Sequence, residues 1–461
     1  MLYDAERGDF TIALTGDCML TRRLSVFGEE RFQALVNILR ETDATFTNLE
    51  TTVHTWDEGT PGITQGTFMT TNPSLLEDLK WMGIKMVSCA NNHAFDYGEG
   101  GILATIRHLD EAGLVHAGTG KNLAEARAPG YLDTPRGRIA LIAATATFRP
   151  WNKAGEQRPD LRGRPGINPL GFQTIYSVDP VAFRQLRRTS AELGLDLGKE
   201  RNRGHFYSAK EIPDEKEKDI DFLSHRFVLD EGFSVSTKLN QRDLEENLRS
   251  IREARRQADW VLVSLHCHEF GGESLLKARR RTELDEPAGF VKTFAHETID
   301  AGADIFVGHG SHFPLGIEIY KGKPVFYSLG NFIFQNETVG FFPADAYERF
   351  DLDSKATPAD FLDARTDGGR KGHPSDPQYW ENIVAVCDFK GRKLSEVKLY
   401  PIDQGYGRPR AQRGRPILVA SEVGVRILKR VRRLCQAYGT ELDLKDGAGL
   451  VVLAEELTAQ R

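Results

Sequence analysis

Residues Met86–Ala112 read MVSCANNHAFDYGEGGILATIRHLDEA. A short apolar run, Met86 to Ala90, stops at Asn91-Asn92-His93, and from Gly101 to Ala112 the apolar residues recur at helical spacing. The unit is a strand, a polar cluster and a helix, with Asp96-Tyr97-Gly98 as the turn that opens the helix. Taken alone, Asn91 or Asn92 suits a left-handed turn position as well as it suits a site.

The same unit recurs along the chain. Thr11 to Thr15 ends in Gly16-Asp17, Arg31–Arg40 is predicted to be an amphipathic helix, and Ala44 to Thr47 ends in Asn48-Leu49-Glu50. Pro73–Trp81 reads as a helix and Ile139–Ala144 as a strand. In the second half, a helix at Gln241–Gln257 feeds a strand at Trp260–Leu265, which runs into His266-Cys267-His268-Glu269. A helix at Pro287–Ala301 then feeds Asp304–Val307, followed by Gly308-His309-Gly310-Ser311-His312. Lys321–Pro324 and Lys390–Lys393 each join two strands as a hairpin. Strands alternating with helices predict an α/β layer fold.

Two regions break this rhythm. Residues 150–235 are rich in Arg, Pro and Gly and then in charge, as in the run Ala209–Asp219, and residues 336–380 are similarly irregular. Both are expected to be irregular insertions over one face of a core formed by residues 1–410, with 411–461 as a C-terminal helical and strand extension packed on it. The 461 residues carry a formal charge of -6, which offers no general attraction to nucleic acid. Five widely spaced cysteines without a CxxC pair argue against a disulfide framework and for a reducing compartment. No leader pattern and no long apolar run is evident, so a cytoplasmic protein without a membrane partner is expected.

The chemistry lies where the strands end. Each cluster has a bland alternative: Gly-Asp is often a turn, Glu50 could be a helix N-terminal acid, and one of His266 and His268 could face the site while the other packs into the core or meets solvent. Loops at the carboxyl ends of strands in α/β sheets converge on one crevice, so the five clusters can share a site. Carboxylate, imidazole and amide oxygen together suit a divalent Zn, Mn or Fe ion.

The ordered series GDCM, TNLE, ANNHAFDYG, HCHEFG, GHGSH and YSLGNFIF, spread over roughly residues 10 to 335, resembles the CapA family, named for poly-γ-glutamate capsule synthesis. That family is similar in fold to calcineurin-like metallophosphoesterases, which implies a β-sheet sandwich flanked by helices. The resemblance implies two divalent ions held by Asp17, Glu50, Asn92, His266, His309 and His312, with Glu50 as a bridge and a bridging hydroxide as nucleophile. It makes His93 the group that contacts the leaving group or oxyanion, with Asn92 and Asn91 beside it as catalytic support. His268 and Glu269 are expected to orient the ligands or touch substrate.

The first motif departs from the superfamily's Asp-x-His, since Asp17 is followed by Cys18-Met19. Cys18 therefore stands between ligand and small buried thiol, and the second reading is favoured, as it is for Cys89. Arg149, Arg162-Gly163-Arg164-Pro165 and the run from Arg408 through Arg413 and Arg415 offer forks for an anion, whereas Lys277–Arg281 reads as a solvated helix face. Phe148 and Trp151 read equally as an aromatic wall or as packing. The expected function is a metal-dependent hydrolase acting on a phosphoester or an amide of an anionic, γ-glutamyl-like small molecule. The alternative is a non-catalytic accessory or binding protein of capsule biosynthesis. No Gly-x-Ser-x-Gly stretch suggests a serine hydrolase.

Overall fold

In the computed structural model, which describes residues 8–63, 66–203, 205, 218–272 and 274–453, two large sheets lie face to face with helices outside each. The first sheet has ten strands. At its centre Phe10–Met19 runs parallel to Ala44–Leu49, which is parallel to Met86–Ser88, and antiparallel to Glu381–Lys390 on its other side. The second sheet has six strands, and Trp260–His266 sits between Gly137–Thr145 and Ile305–His309, parallel to both.

Buried parallel strands carry apolar residues on both faces, and here the two faces serve different layers. Ile12, Leu14 and Phe46 of the first sheet meet Leu141, Leu262 and Val307 of the second in one core. Outside the first sheet, Ala13 and Val87 pack against Phe32, Leu35 and Leu39 of the helix Glu30–Arg40 and Leu79 of the helix Leu76–Met82. Outside the second, Val261, Val263 and Leu265 pack against Leu244, Leu248 and Ile251 of Gln241–Arg255 and Phe290 and Phe294 of Gly289–Asp300. The order is helix, sheet, sheet, helix. Trp260 ties the inner layers together, stacked on Phe10 with ring centroids 5.3 Å apart and tilted against Phe389 at 4.7 Å.

Two expectations change. The first strand does not stop at Thr15 but continues to Met19, and against its neighbour its register shifts between Leu14 and Asp17. Region 150–235, expected to be irregular, contains strands Phe172–Val178, Asp219–Phe222, His225–Leu229 and Ser234–Leu239, which form a small four-stranded sheet, and the helices Pro180–Glu192 and Leu195–Arg203. These strands escape a pattern search because they bury little: in Ser234–Leu239 only Leu239 is buried. Most of the charged run Ala209–Asp219 lies outside the described residues. Residues 336–380 hold two short helices, Ala344–Glu348 and Pro358–Thr366. Beyond residue 410, the hairpin Leu442–Lys445 and Ala448–Val451 extends the ten-stranded sheet, and Ile427, Leu428 and Val431 of the helix Glu422–Cys435 join the inter-sheet core. Among the described residues no helix is long and apolar enough to cross a membrane.

Because the sheets meet through large rings, Trp260→Ala is expected to cost about 3–5 kcal/mol, and Trp260→Phe much less. Urea unfolding of the two variants checks this, and equal midpoints for Trp260→Ala and the parent chain would refute it.

Candidate metal centre

The clusters converge at one end of the sandwich, with the carboxylates coming from the first sheet and most imidazoles from the second. How Asp17 gets there depends on parity. In a regular strand, side chains alternate between faces, so with Ile12 and Leu14 facing the second sheet, Asp17 would face the outer helices. The bulge after Leu14 inserts one residue and reverses the alternation. Asp17 then faces the second sheet, while Cys18 turns outward to pack with Leu20, Leu49 and Phe32. Gly16 is required here: a Cβ on it would lie 1.7 Å from the Gly330 carbonyl oxygen, and the Asp17 N–H donates to that oxygen at 2.9 Å. Gly330 is held at φ +77°, where a Cβ would meet Asn382 Oδ1 at 1.9 Å.

Asp17 is fully buried, and its Oδ1 accepts from Asn48 Nδ2 at 2.8 Å and its Oδ2 from the Gly310 N–H at 3.2 Å. Burial alone would raise its carboxyl, but the His312 hydrogen bond and the charges of His309 and His312 outweigh burial and hold it below the ordinary value. Glu50 is fully buried as well, and among the described residues neither of its oxygens has a hydrogen-bond partner. Burial first, then the nearby charges of Asp17 and Asp96, push its carboxyl well above the usual range. Two triads share it: ligand atoms of Asp17, Glu50 and His266 lie within 4.8 Å of one another, as do those of Glu50, His268 and His312.

His266, the last residue of its strand, and His268, of which one was expected to face away, are two residues apart, the spacing that puts strand side chains on one face. Both imidazoles therefore face the cluster, with Nε2 atoms 3.1 Å apart. His309, beside His266 in register, is buried with both ring nitrogens unpartnered, and Nδ1 stands 3.7 Å from Asp17 Oδ1. Burial, opposed by the Asp17 charge, lowers it to about 4. His312 lies at φ +67°, a costly conformation for this residue, and its Nδ1 is 3.1 Å from Asn331 Oδ1, whose amide donates to the His312 carbonyl at 3.0 Å. Asn331 thus fixes ring and backbone together. The Asn92 side-chain oxygen is also buried without a partner.

A carboxylate, an amide oxygen and an imidazole buried without partners would each cost several kcal/mol if nothing met them. Their common remedy is a cation, and hard oxygen donors mixed with imidazole match the ligand preference of divalent first-row metals. The residues present fit such a group.

Around the cluster, Asn91 donates to the Leu49 carbonyl at 2.8 Å and accepts from the His93 N–H at 3.1 Å, which sets the turn. His93 Nδ1 lies 2.6 Å from Asp96 Oδ2, leaving Nε2 toward Glu50 at 3.8 Å. Asp96, read from sequence only as part of a turn, orients this ring, and the Met69 N–H also donates to it at 2.8 Å. A cleft of about 1090 Å³ opens over these groups, lined by Asn92, His93, His268, Glu269 and His312 of the cluster and by Arg149 and Phe148. Arg281 also lines it, with its guanidinium over Phe270 at 5.1 Å, while Lys277, Arg279, Arg280 and Arg281 are exposed, as expected of Lys277–Arg281. Arg365 and His373 reach it from residues 336–380, which sequence reading left unassigned.

Arg413 and Arg415 do not line the cleft. Arg413 makes a bidentate pair with Glu337, both contacts 2.6 Å, above Trp380, and Arg415 pairs with Glu29 above Phe27, so both hold elements together. Trp151 is exposed and stands outside the lining. The Cys18 thiol, raised by burial and the Asp17 and Glu50 charges, and the Cys89 thiol, raised by burial to about 12, belong to the packing.

Fold and cluster together define an α/β sandwich protein whose strand ends gather acidic and histidine groups able to hold a metal ion. The chain belongs to the bacterial capsule synthesis protein family PGA_cap, whose match covers residues 11–336. It is 34% identical over 458 residues to the uncharacterized protein y4sH of Sinorhizobium fredii (strain NBRC 101917 / NGR234), a match covering 96% of this chain and 93% of that one. It is 25% identical over 328 residues to the PGA biosynthesis protein CapA of Bacillus subtilis (strain 168), covering 70% of this chain and 62% of the relative. A probable polyglutamine synthesis accessory protein of Mycobacterium tuberculosis is 35% identical over 101 residues, covering 22% and 23%.

If Glu50 is buried to meet a cation, Mn or Zn at about 100 times its dissociation constant stabilises the protein by about 2.7 kcal/mol. Glu50→Gln is expected to abolish that gain without lowering metal-free stability, since it removes a buried charge and keeps the shape. Thermal unfolding with and without metal decides; an undiminished metal response in Glu50→Gln rules the role out.

Proposed function

We propose that this chain is a metal-dependent hydrolase of capsule or poly-glutamate metabolism, acting on a phosphoester or an amide of an anionic molecule. The observation that carries this reading is Glu50, shared between two ligand triads with both oxygens unpartnered. Asp17, Glu50 and His266 would hold one ion and Glu50, His268 and His312 a second, with His309 and Asn92 adjacent. Ions held there supply an activated water and neutralise charge developing on the substrate.

The chain's own groups do the rest. Asp96 accepts from Nδ1 of His93 and so presents Nε2 to the cleft, where a protonated imidazole donates to the leaving oxygen or nitrogen. Asn91 holds the backbone of that turn, so His93 and Asn92 keep fixed directions. Arg149 and Arg281 draw an anionic substrate into the cleft. Five free cysteines, all buried, suit a reducing compartment, and we place the protein in the cytoplasm.

A second reading, an accessory protein without turnover, draws on the relatives' names. Metal-replete protein tested against phosphomonoester, phosphodiester and γ-glutamyl amide panels separates the two. We expect hydrolysis of at least one class, reduced about 10²–10⁴-fold in His93→Ala, and less severely in Asp96→Asn, with metal content unchanged. Stoichiometric metal with no turnover on any panel would favour the accessory reading.

A further inference from the structure

The cleft is unusually cationic for an acidic chain. Arg149, Lys153, Arg226, Lys238, Arg281 and Arg365 line it, against the carboxylates of Asp96 and Glu269. Among the described residues, only Arg226 of these six has a carboxylate within ion-pair distance, that of Asp219 at 2.6 Å. Elsewhere on the surface pairing is common, as in Arg138–Asp133 and Arg188–Glu192.

Part of this charge belongs to the small sheet rather than to the metal cluster. Its order places Phe172–Val178 between His225–Leu229 and Ser234–Leu239. Phe172 is opposite Leu239 and Gln173 opposite Lys238, so the two pairs point to opposite faces. One face is anchored: Phe172 stacks on Phe290 at 4.3 Å, and Thr237 Oγ1 accepts from the Phe290 N–H at 3.2 Å. The other presents a row across three strands, Arg226, Gln173 and Lys238, all lining the cleft. Arg226 is fixed in that row, donating to Asp219 and to Gln173 Oε1 at 3.1 Å, which leaves Lys238 as its uncompensated charge.

We propose that the row Arg226–Gln173–Lys238 is a second anion-binding wall, which makes the protein selective for ligands carrying an anionic group at each end. One end sits at the acid–histidine cluster, and the other, a carboxylate or a phosphate, sits on the small sheet, with Lys238 as the specificity-determining residue. This rests on the cluster being the reacting end, as proposed above.

The test is equilibrium binding to metal-loaded and metal-free protein of three probes: inorganic phosphate, γ-glutamylglutamate, and 1,6-hexanediol bisphosphate. At least one two-ended probe is expected to bind metal-loaded protein ten-fold or more tightly than inorganic phosphate. Lys238→Ala should erase most of that advantage and Lys238→Glu all of it, with inorganic phosphate binding unchanged in both. Whichever two-ended probe responds identifies the second group as carboxylate or phosphate. If neither outbinds inorganic phosphate, or if both keep their advantage in Lys238→Glu, the wall does not exist. If inorganic phosphate fails to bind metal-loaded protein, the metal reading falls, and Lys238-dependent binding of a two-ended probe to metal-free protein then decides the wall separately.

Discussion

A carboxylate buried without a partner is the demand around which this protein is arranged. Glu50 sits close enough to Asp17 that the second charge makes the first harder to hold, and neither can reach water. Solvation has to come from groups that the fold brings in. The first sheet supplies both acids, and the second supplies His266, His268, His309 and His312. Any cation that satisfies the acids therefore also joins the two sheets, so ligand binding and the stability of the layered core are one problem.

Meeting that demand sets unusual requirements on the backbone. The bulge that turns Asp17 inward works only because Gly16 and Gly330 let two strands approach more closely than side chains allow. The bulge's own polar groups are satisfied locally, with Thr47 Oγ1 donating to the Gly16 carbonyl at 2.9 Å. His312 occupies a left-handed conformation stabilised by Asn331, which bonds the ring on one side and the carbonyl on the other. One such conformational cost is thus placed beside the cluster.

Much of this could be read from the chain alone, for a physical reason. Polar residues that end apolar runs stand out, so Asp17, Glu50, Asn92, His93, His266, His309 and His312 were visible as a set, and the alternating layers followed from periodicity. What escaped depended on three dimensions. The inward turn of Asp17 needs a bulge that no spacing reveals. Asp96 looked like a turn residue because its partner, His93, is only three positions away. Arg281 is exposed, as its charged run suggests, yet also lines the cleft, while Arg413 and Arg415 lie in a basic run that reads as a binding patch, and packing reverses that reading. The small sheet stayed hidden because its strands, half exposed, lack the apolar alternation that marks a strand.

That small sheet is attached to the rest chiefly through its Phe172 face, against the helix Gly289–Asp300. On the opposite face, Gln173, Arg226 and Lys238 join none of the apolar clusters among the described residues, so they can change with little disturbance to the sandwich or the acid–histidine cluster. On the proposed reading, reaction and recognition are thereby written on separate parts of the chain. On that reading, a relative with the same strand-end residues could differ in what it accepts by changing a few positions on three strands.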